Sequence, residues 1–244
     1  MNATLQTIRK DEQGFTLVEL AVVMIIIGLL IGGILKGQEL ITNARVTSTI
    51  SQLEAMGGAY NGFRDKFNAL PGDMSSATVR MTACADACQD GDGSGIIDHG
   101  VGEGPAAGEG VGFFGQLLAA DFITGMDGTD DGTNAEFGVT NPTAPIGGGF
   151  TAGDARDSVV GFTAAEIRPG PHIVVTGTVA DVATGTGILD PQQAANLDRR
   201  LDDGKPDTGV VVGQTSAANT DCRGAANDVY GGGTDEVCAV AYRL

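Results

Sequence analysis

The stretch QDGDGSGIIDHG, Gln89 to Gly100, sets oxygen-bearing side chains at alternate positions. Asp90, Asp92, Ser94 and Asp98 fall at positions one, three, five and nine of an EF-hand-like loop, with Gly95 at position six for the sharp turn. The backbone carbonyl of Ile96 fills position seven. This spacing turns alternate oxygens toward one hard cation, so calcium is the expected cofactor. Position twelve is Val101, where the pattern needs a bidentate Glu, and Glu103 stands out of register. A solvated Gly/Asp turn is the other reading of the same residues. GMDGTDDGTN, with Asp127, Asp130 and Asp131, and LDDGKPDTG, with Asp202, Asp203 and Asp207, lack clean ligand spacing and read as loops.

Four cysteines, Cys84, Cys88, Cys222 and Cys238, form no CxxC, and the only histidines are His99 and His172. These spacings argue against zinc. In an exported chain they suit two disulfides. Three connectivities are possible, and the most local, Cys84–Cys88 with Cys222–Cys238, is expected. Closing the second loop stabilises the C-terminal end by roughly 3 kcal/mol on the chain-entropy model.

A second chemical oddity lies at the other end. The run from Leu20 to Leu35 carries no charge, and extended back to Phe15 it has 21 residues. As a helix it reaches about 30 Å, enough to span a bilayer. Glu19 sits inside it. A carboxylate in a spanning helix costs on the order of 2.5–3.5 kcal/mol at mid-depth, and less near the end. Arg9 and Lys10 precede the run, which predicts a single pass with a cytoplasmic N-terminus and an exported C-terminal part. A secretory signal peptide would need a small-residue cleavage site after the apolar stretch, and no convincing A-x-A site follows. A plain membrane anchor explains the apolar run but not Glu19.

Gly14-Phe15-Thr16-Leu17-Val18-Glu19-Leu20, behind a short charged leader, resembles the processing motif of type IV prepilins and type II secretion pseudopilins. The resemblance is specific over about residues 10–40. Farther on, only the LPGD and DDG stretches resemble those of prepilin heads. It implies that a prepilin peptidase removes the leader, residues 1–14, by cutting after Gly14, and N-methylates the new terminus, Phe15. It implies further that an inner-membrane assembly platform stacks identical or related subunits into a helical filament, periplasmic or on the cell surface. Residues 15–35 would then be membrane-spanning before assembly and filament core after it. Cleavage leaves an ammonium at Phe15, and Glu19, one helical turn on, can face the amine of a neighbouring subunit. Each charge alone is expensive when buried, while paired they are tolerated and fix register. Snorkelling of Glu19 to the headgroups is the simpler alternative. Gly28 with Gly32, and Gly33 with Gly37, form small-xxx-small faces suited to close helix packing, and they equally suit a segment that loosens its helix during assembly. Lys36 stands where the family often carries a proline, a departure that leans toward a pseudopilin or a minor pilin.

Several elements must position these groups. Val46, Ile50, Leu53, Met56, Tyr60, Phe63, Phe67 and Leu70 recur at steps of three and four. That is one apolar stripe, so an amphipathic helix is expected over 36–70, continuing the first, with Pro71 ending it. Gly57-Gly58 weakens its middle. Residues 71–244 hold 31 of the 39 glycines, and 25 carboxylates against eight Lys/Arg, so they supply the whole net charge of −17. This is a turn-rich acidic head that repels nucleic acid, which is not an expected partner. Strands are expected at Ser158–Phe162, His172–Thr178, Gly209–Gly213 and Val237–Tyr242. Short helices are expected in VGFFGQLLAADFI and after Asp190, with Pro191 in its first turn. Together they predict an α+β protein, a long helix packed on an antiparallel sheet, the pilin fold.

Three function classes compete for these residues. A polymerising structural subunit of a type IV pilus or type II secretion pseudopilus accounts for the N-terminal motif. A minor or tip subunit acting as an adhesin uses the same anchor. A membrane-anchored enzyme lacks convergent catalytic groups: the histidines are isolated, G-x-S-x-G is absent, and the aspartates lie in Gly-rich turns.

Overall fold

The computed structural model describes residues 15–244 except 85–86, 106–107, 130–134, 184, 216–221, 225–227 and 236. The chain divides into two compact units, Met1–Thr42 and Asn43–Leu244, with one helix, α1 (Leu17–Phe67), contributing to both.

In the first unit the helix is apolar all round. Every large hydrophobic side chain from Phe15 to Ile41 is exposed, from Ile27 at 44% to Leu17 at 89%. The segment is long and apolar enough to cross a membrane. Uniform apolarity without burial is the mark of a helix whose partner is lipid or other helices. The polar part begins at Lys36, whose Nζ lies 2.7 Å from Glu39 one turn on.

In the second unit the same helix becomes one-sided. Val46, Ile50, Leu53, Met56, Tyr60 and Phe63 are buried at the predicted positions, joined by Thr49 and Ala59. Phe67 and Leu70 are partly buried against the same core. Gly57-Gly58 leaves the helix unbroken. Gly62 has a packing reason: a Cβ there would press on the Phe122 ring at 2.7 Å. After Phe67 the chain turns through Asn68 in the left-handed region, φ 54°, three residues before Pro71.

The remaining elements are α2 (Ala77–Arg80), α3 (Glu109–Ala119), β1 (Gly149–Asp154), β2 (Pro171–Thr176), α4 (Pro191–Leu201), β3 (Val211–Gly213) and β4 (Val240–Arg243). The strands form one sheet, order β1-β2-β4-β3, with every pair antiparallel. The strand period of two divides its side chains between two cores. Phe150, Ile173, Val175, Val211 and Val240 share the large core with α1, α3 and α4. Val174, Val212, Ala239 and Ala241 face a smaller core closed by Val101, Phe162, Ile167 and Val182 from loops. The α+β expectation, a long helix with an antiparallel sheet, is what the chain adopts.

Two strand expectations need correction. Ser158–Phe162 is not a strand; Val159 makes one isolated bridge to Val101, and Phe162 covers the second face of the sheet. The missing strand is β1, GFTAGD. Its Gly153 is required by close approach, because a Cβ there would overlap the Gly100 carbonyl. The glycines that allow this packing also remove the apolar alternation by which a strand is recognised. Between Pro71 and Gly110, α2 adds a single helical turn. Helix α4 starts as expected. The Asp190 carboxylate accepts from the Gln193 N–H at 2.7 Å, and the Gln193 side chain accepts from the Asp190 N–H at 3.1 Å. The disulfides are Cys84–Cys88 and Cys222–Cys238.

Phe63 is wholly buried on α1, against the rings of Phe67 one turn on and of Phe122. Phe63→Ala should destabilise the protein by about 3–5 kcal/mol, the usual cost of emptying a large core site. Urea unfolding of the full chain in detergent, followed by near-UV dichroism, measures it, and a loss below about 1 kcal/mol contradicts the packing described here.

Candidate functional site

The N-terminal turn carries the first candidate group. Glu19 stands three residues after Thr16, the spacing of a capping box. Glu19 Oε2 accepts the Thr16 N–H at 2.9 Å and the Thr16 hydroxyl at 2.9 Å. Thr16 Oγ1 accepts the Glu19 N–H at 3.3 Å, and the Thr16 carbonyl begins the helical ladder by accepting from Leu20 at 3.2 Å. The four N-terminal N–H groups of a helix have no partner within it, and in lipid each unpaired one is costly. Thr16 and Glu19 satisfy two of them. Glu19 therefore has a use inside its own chain, and Thr16 is a functional residue that motif reading passed over, although T-x-x-E is legible. Glu19 Oε1 takes no part in the box. Phe15 is 88% exposed, and Gly14 lies outside the described residues. Nothing lies within 4 Å of a Cβ built on Gly28, Gly32, Gly33 or Gly37, so both small-residue faces are open within one chain.

The second candidate is the acidic loop. The structure does not assemble the expected set Asp90, Asp92, Ser94, Ile96 and Asp98 around one point. The Asp90 carboxylate turns to α2, where Oδ1 accepts the Thr78 N–H at 2.8 Å and the Thr78 hydroxyl at 3.0 Å. The Ile96 carbonyl accepts the Ser94 hydroxyl at 3.2 Å. Asp98 enters through its backbone, donating its N–H to Glu109 Oε2 at 2.7 Å. The carboxylates that do converge are Asp73, Asp92 and Glu109, with one oxygen from each within 4.8 Å of the others. Of these only Asp92 belongs to the expected set.

Protein donors surround that trio. Glu109 accepts the Asp92 N–H at 2.9 Å as well as that of Asp98, and Asp73 accepts the Gly95 N–H at 2.9 Å. Asp92 accepts the Ser94 N–H at 2.8 Å. Gly93 and Gly95 take left-handed conformations, φ 78° and 82°, which let successive N–H groups point inward. Burial pushes the Asp73 and Glu109 carboxyls above their ordinary values. The Asp92 carboxyl is held low by its hydrogen bond from the Ser94 backbone. The physical reason for the rearrangement is the missing acid at position twelve: Glu109, on α3, takes over the closing of the loop from farther along the chain.

A third cluster joins Asp198, Asp202 and Asp203. Asp198 is buried on α4 and accepts the Tyr230 hydroxyl at 2.9 Å and the Gly204 N–H at 3.1 Å. Desolvation raises its pKa to about 7. Asp203 fixes the following turn, accepting from Lys205 N–H at 2.9 Å and the Thr208 hydroxyl at 2.7 Å. Asp202 accepts from the Val210 N–H. Asp127 is exposed, and Asp130 and Asp131 lie outside the described residues. The histidines serve separate loops. His99 Nε2 lies 3.1 Å from the Glu103 carbonyl, and His172 Nδ1 lies 2.8 Å from that of Gly170.

Residues 9–35 match the family model of the prokaryotic N-terminal methylation motif. The match includes Gly14, Phe15, Thr16 and Glu19 and ends with the apolar run. No curated protein and no solved structure matches the chain. The matched segment is that of type IV prepilin and pseudopilin-type proteins, and with the exposed apolar helix it fits a membrane-anchored pilin.

Two buried groups give the head a pH signature. Asp198 titrates from 3.8 in its ordinary state to about 7 in the fold, so its contribution is intact below about pH 4 and lost as pH rises toward 7. His172, held neutral by burial with a pKa of about 4, acts in the opposite sense: its contribution is intact above pH 6.5 and lost as pH falls toward 4. Asp198→Asn keeps both hydrogen bonds, since the carboxamide oxygen can accept from Gly204 and the NH2 can donate to the Tyr230 oxygen. Its stability relative to wild type should climb between about pH 4 and 7, by at most about 1.4 kcal/mol per unit, and level off above. Urea midpoints across that range measure it; a pH-independent difference rules out a buried, proton-holding Asp198.

Proposed function

We propose that this protein is a structural subunit of a helical filament, a type IV pilus or a type II secretion pseudopilus. The single observation that carries the reading is the methylation motif at residues 9–35 set on a helix whose apolar surface is uncovered. The subunit enters the inner membrane with its N-terminus in the cytoplasm. A prepilin peptidase cuts after Gly14 and methylates Phe15. An assembly platform then moves the helix from lipid into a bundle of like helices. Moving an apolar surface from lipid to a bundle gains little hydrophobic energy, so packing of the open Gly28/Gly32 and Gly33/Gly37 faces and polar contacts must hold the filament.

Glu19 then has two uses in sequence. Before cleavage its Oε2 caps the helix through Thr16. After cleavage an ammonium stands at Phe15, and Oε1 remains to receive it from an adjoining subunit. An ammonium and a carboxylate each carry a penalty of several kcal/mol when buried alone, so mis-stacked subunits are selected against. The acidic, disulfide-bonded head is the exposed part of such a filament, and its roles are structural in this reading.

Mass spectrometry of the purified protein should find an N-terminus at Phe15 carrying one methyl group. Gly14→Val should leave the full-length precursor in the inner membrane. A mature-sized product from that variant, or a wild-type chain still beginning at Met1, rejects the processing scheme.

Glu19→Ala separates processing from assembly. Removing the box should cost the helix start about 1 kcal/mol while leaving cleavage intact. Filament yield, counted by electron microscopy of sheared fractions, should collapse. Glu19→Gln restores much of the capping but not the charge, so it should remain defective in assembly. A Gln variant with wild-type yield would show that capping is the whole of Glu19's use.

A further inference from the structure

Carboxylates outnumber cations by 25 to eight in residues 71–244, and yet three exposed cations near the C-terminal end of α1 have no carboxylate partner among the described residues. They are Arg64, Lys66 and Arg80. Among the described residues the ion pairs are Lys36–Glu39, Arg156–Asp154 and Arg223–Glu166. The three cations rest on aromatic rings instead. The Arg64 guanidinium lies 5.5 Å from the Tyr60 ring centre, and Lys66 and Arg80 lie 5.0 and 5.7 Å from that of Phe67. Arg80 also donates to the Phe67 carbonyl at 3.3 Å, which holds α2 against the end of α1.

Two of them, Arg64 and Arg80, border open space. A recess of ≈ 560 Å³ is walled by Arg64 and Arg80 together with Asn61, Asn68, Asp65 and Asp73. A smaller one of ≈ 270 Å³ shares Arg64 and adds Arg156. Of the two acids in the larger wall, Asp73 is buried and committed to Ser94 and Gly95, which leaves Asp65 as the exposed one. The aromatic supports hold the cations without neutralising them, and stacked guanidinium groups keep their outer N–H edges for a carboxylate.

We propose that the Arg64 and Arg80 edge of this recess, with Lys66 beside it on α1, receives a carboxylate-bearing surface from the head of a second copy of the chain. The proposal rests on the filament reading above. Copies carrying −17 each repel when brought side by side, and self-repulsion of this kind opposes any close array. A cluster of unpaired cations is the place on such a molecule where an identical acidic neighbour is attracted. Opposed patches of this sort set orientation and register more than affinity. The recess thereby supplies a contact between heads that is independent of the contacts between helices.

A photo-crosslinking amino acid in place of Arg80, in the full chain expressed in its own envelope, tests the contact directly. A second probe in place of Leu30 reports on the helices. Self-crosslinked dimers from both positions are expected. A Leu30 probe that self-crosslinks beside a position-80 probe that is silent, or that captures only a different protein, overturns this proposal and leaves the filament reading standing. Silence at both positions overturns the two together. In the full chain, Arg64→Glu with Arg80→Glu should still be cleaved at Phe15 and keep both disulfides, and should lose about tenfold or more of the Leu30 self-crosslink through like-charge contact. Arg64→Lys with Arg80→Lys should retain most of it. A reversed-charge variant that is folded and assembles at the wild-type level also overturns the proposal.

Discussion

An apolar helix that nothing in its own chain covers must be covered by something else, and that need governs the molecule. From Phe15 to Ile41 the large side chains are open on all sides. Water is excluded as their lasting neighbour by about 25 cal/mol per Å² of apolar surface. Lipid satisfies the side chains but offers nothing to backbone N–H groups at the helix start. Thr16 and Glu19 answer that second need within the chain. The carboxylate that looks misplaced in an apolar run is thus tied to the backbone it begins, and the penalty for its charge is partly offset by the donors it accepts.

The head solves a different problem. It has many glycines, short strands and few aromatics, so its sheet alone could not hold the long loops in place. Both faces of that sheet are covered, one by helices and one by loops, and the loops are in turn anchored by buried acceptors. Glu109 holds the backbone at Asp92 and Asp98, Asp73 holds Gly95, and Asp198 holds Gly204. Each of these carboxylates stands in a place where burial disfavours its charge. The hydrogen bonds offset part of that cost, because each carboxylate collects two donors, most of them backbone N–H groups, but burial still leaves all three carboxyls above their ordinary values.

Much of this was legible in the residues. The stripe from Val46 to Phe63 needs only the period of the helix, and its burial follows position for position. Asp190-Pro191 announces a helix start because the cap and the fixed φ of proline act within four residues. What escaped was long-range. Strand β1 is hidden because Gly153 answers to the Gly100 backbone, 53 residues away in sequence, and not to its own strand. The loop from Asp90 to Asp98 reads as a cation loop while its neighbours are unknown; Asp73 and Glu109 reach it only through the turn at Gly72 and the start of α3. Thr16 was readable but stood inside a longer motif that drew attention to Glu19 alone.

The charge distribution joins these two solutions. Residues 1–70 hold equal numbers of acids and bases, so the apolar segment and its flanks carry no net charge. The excess of acids lies beyond Pro71, where water and salt screen it over about 8 Å at physiological ionic strength. In the filament proposed above, side-by-side heads would come closer than that, so screening alone would leave residual repulsion at every contact. Attraction between the helices has to exceed it, or specific cations have to interrupt it. Arg64, Lys66 and Arg80 are placed to interrupt it, because the rings of Tyr60 and Phe67 hold their charge at the surface and no carboxylate of their own chain pairs with it among the described residues.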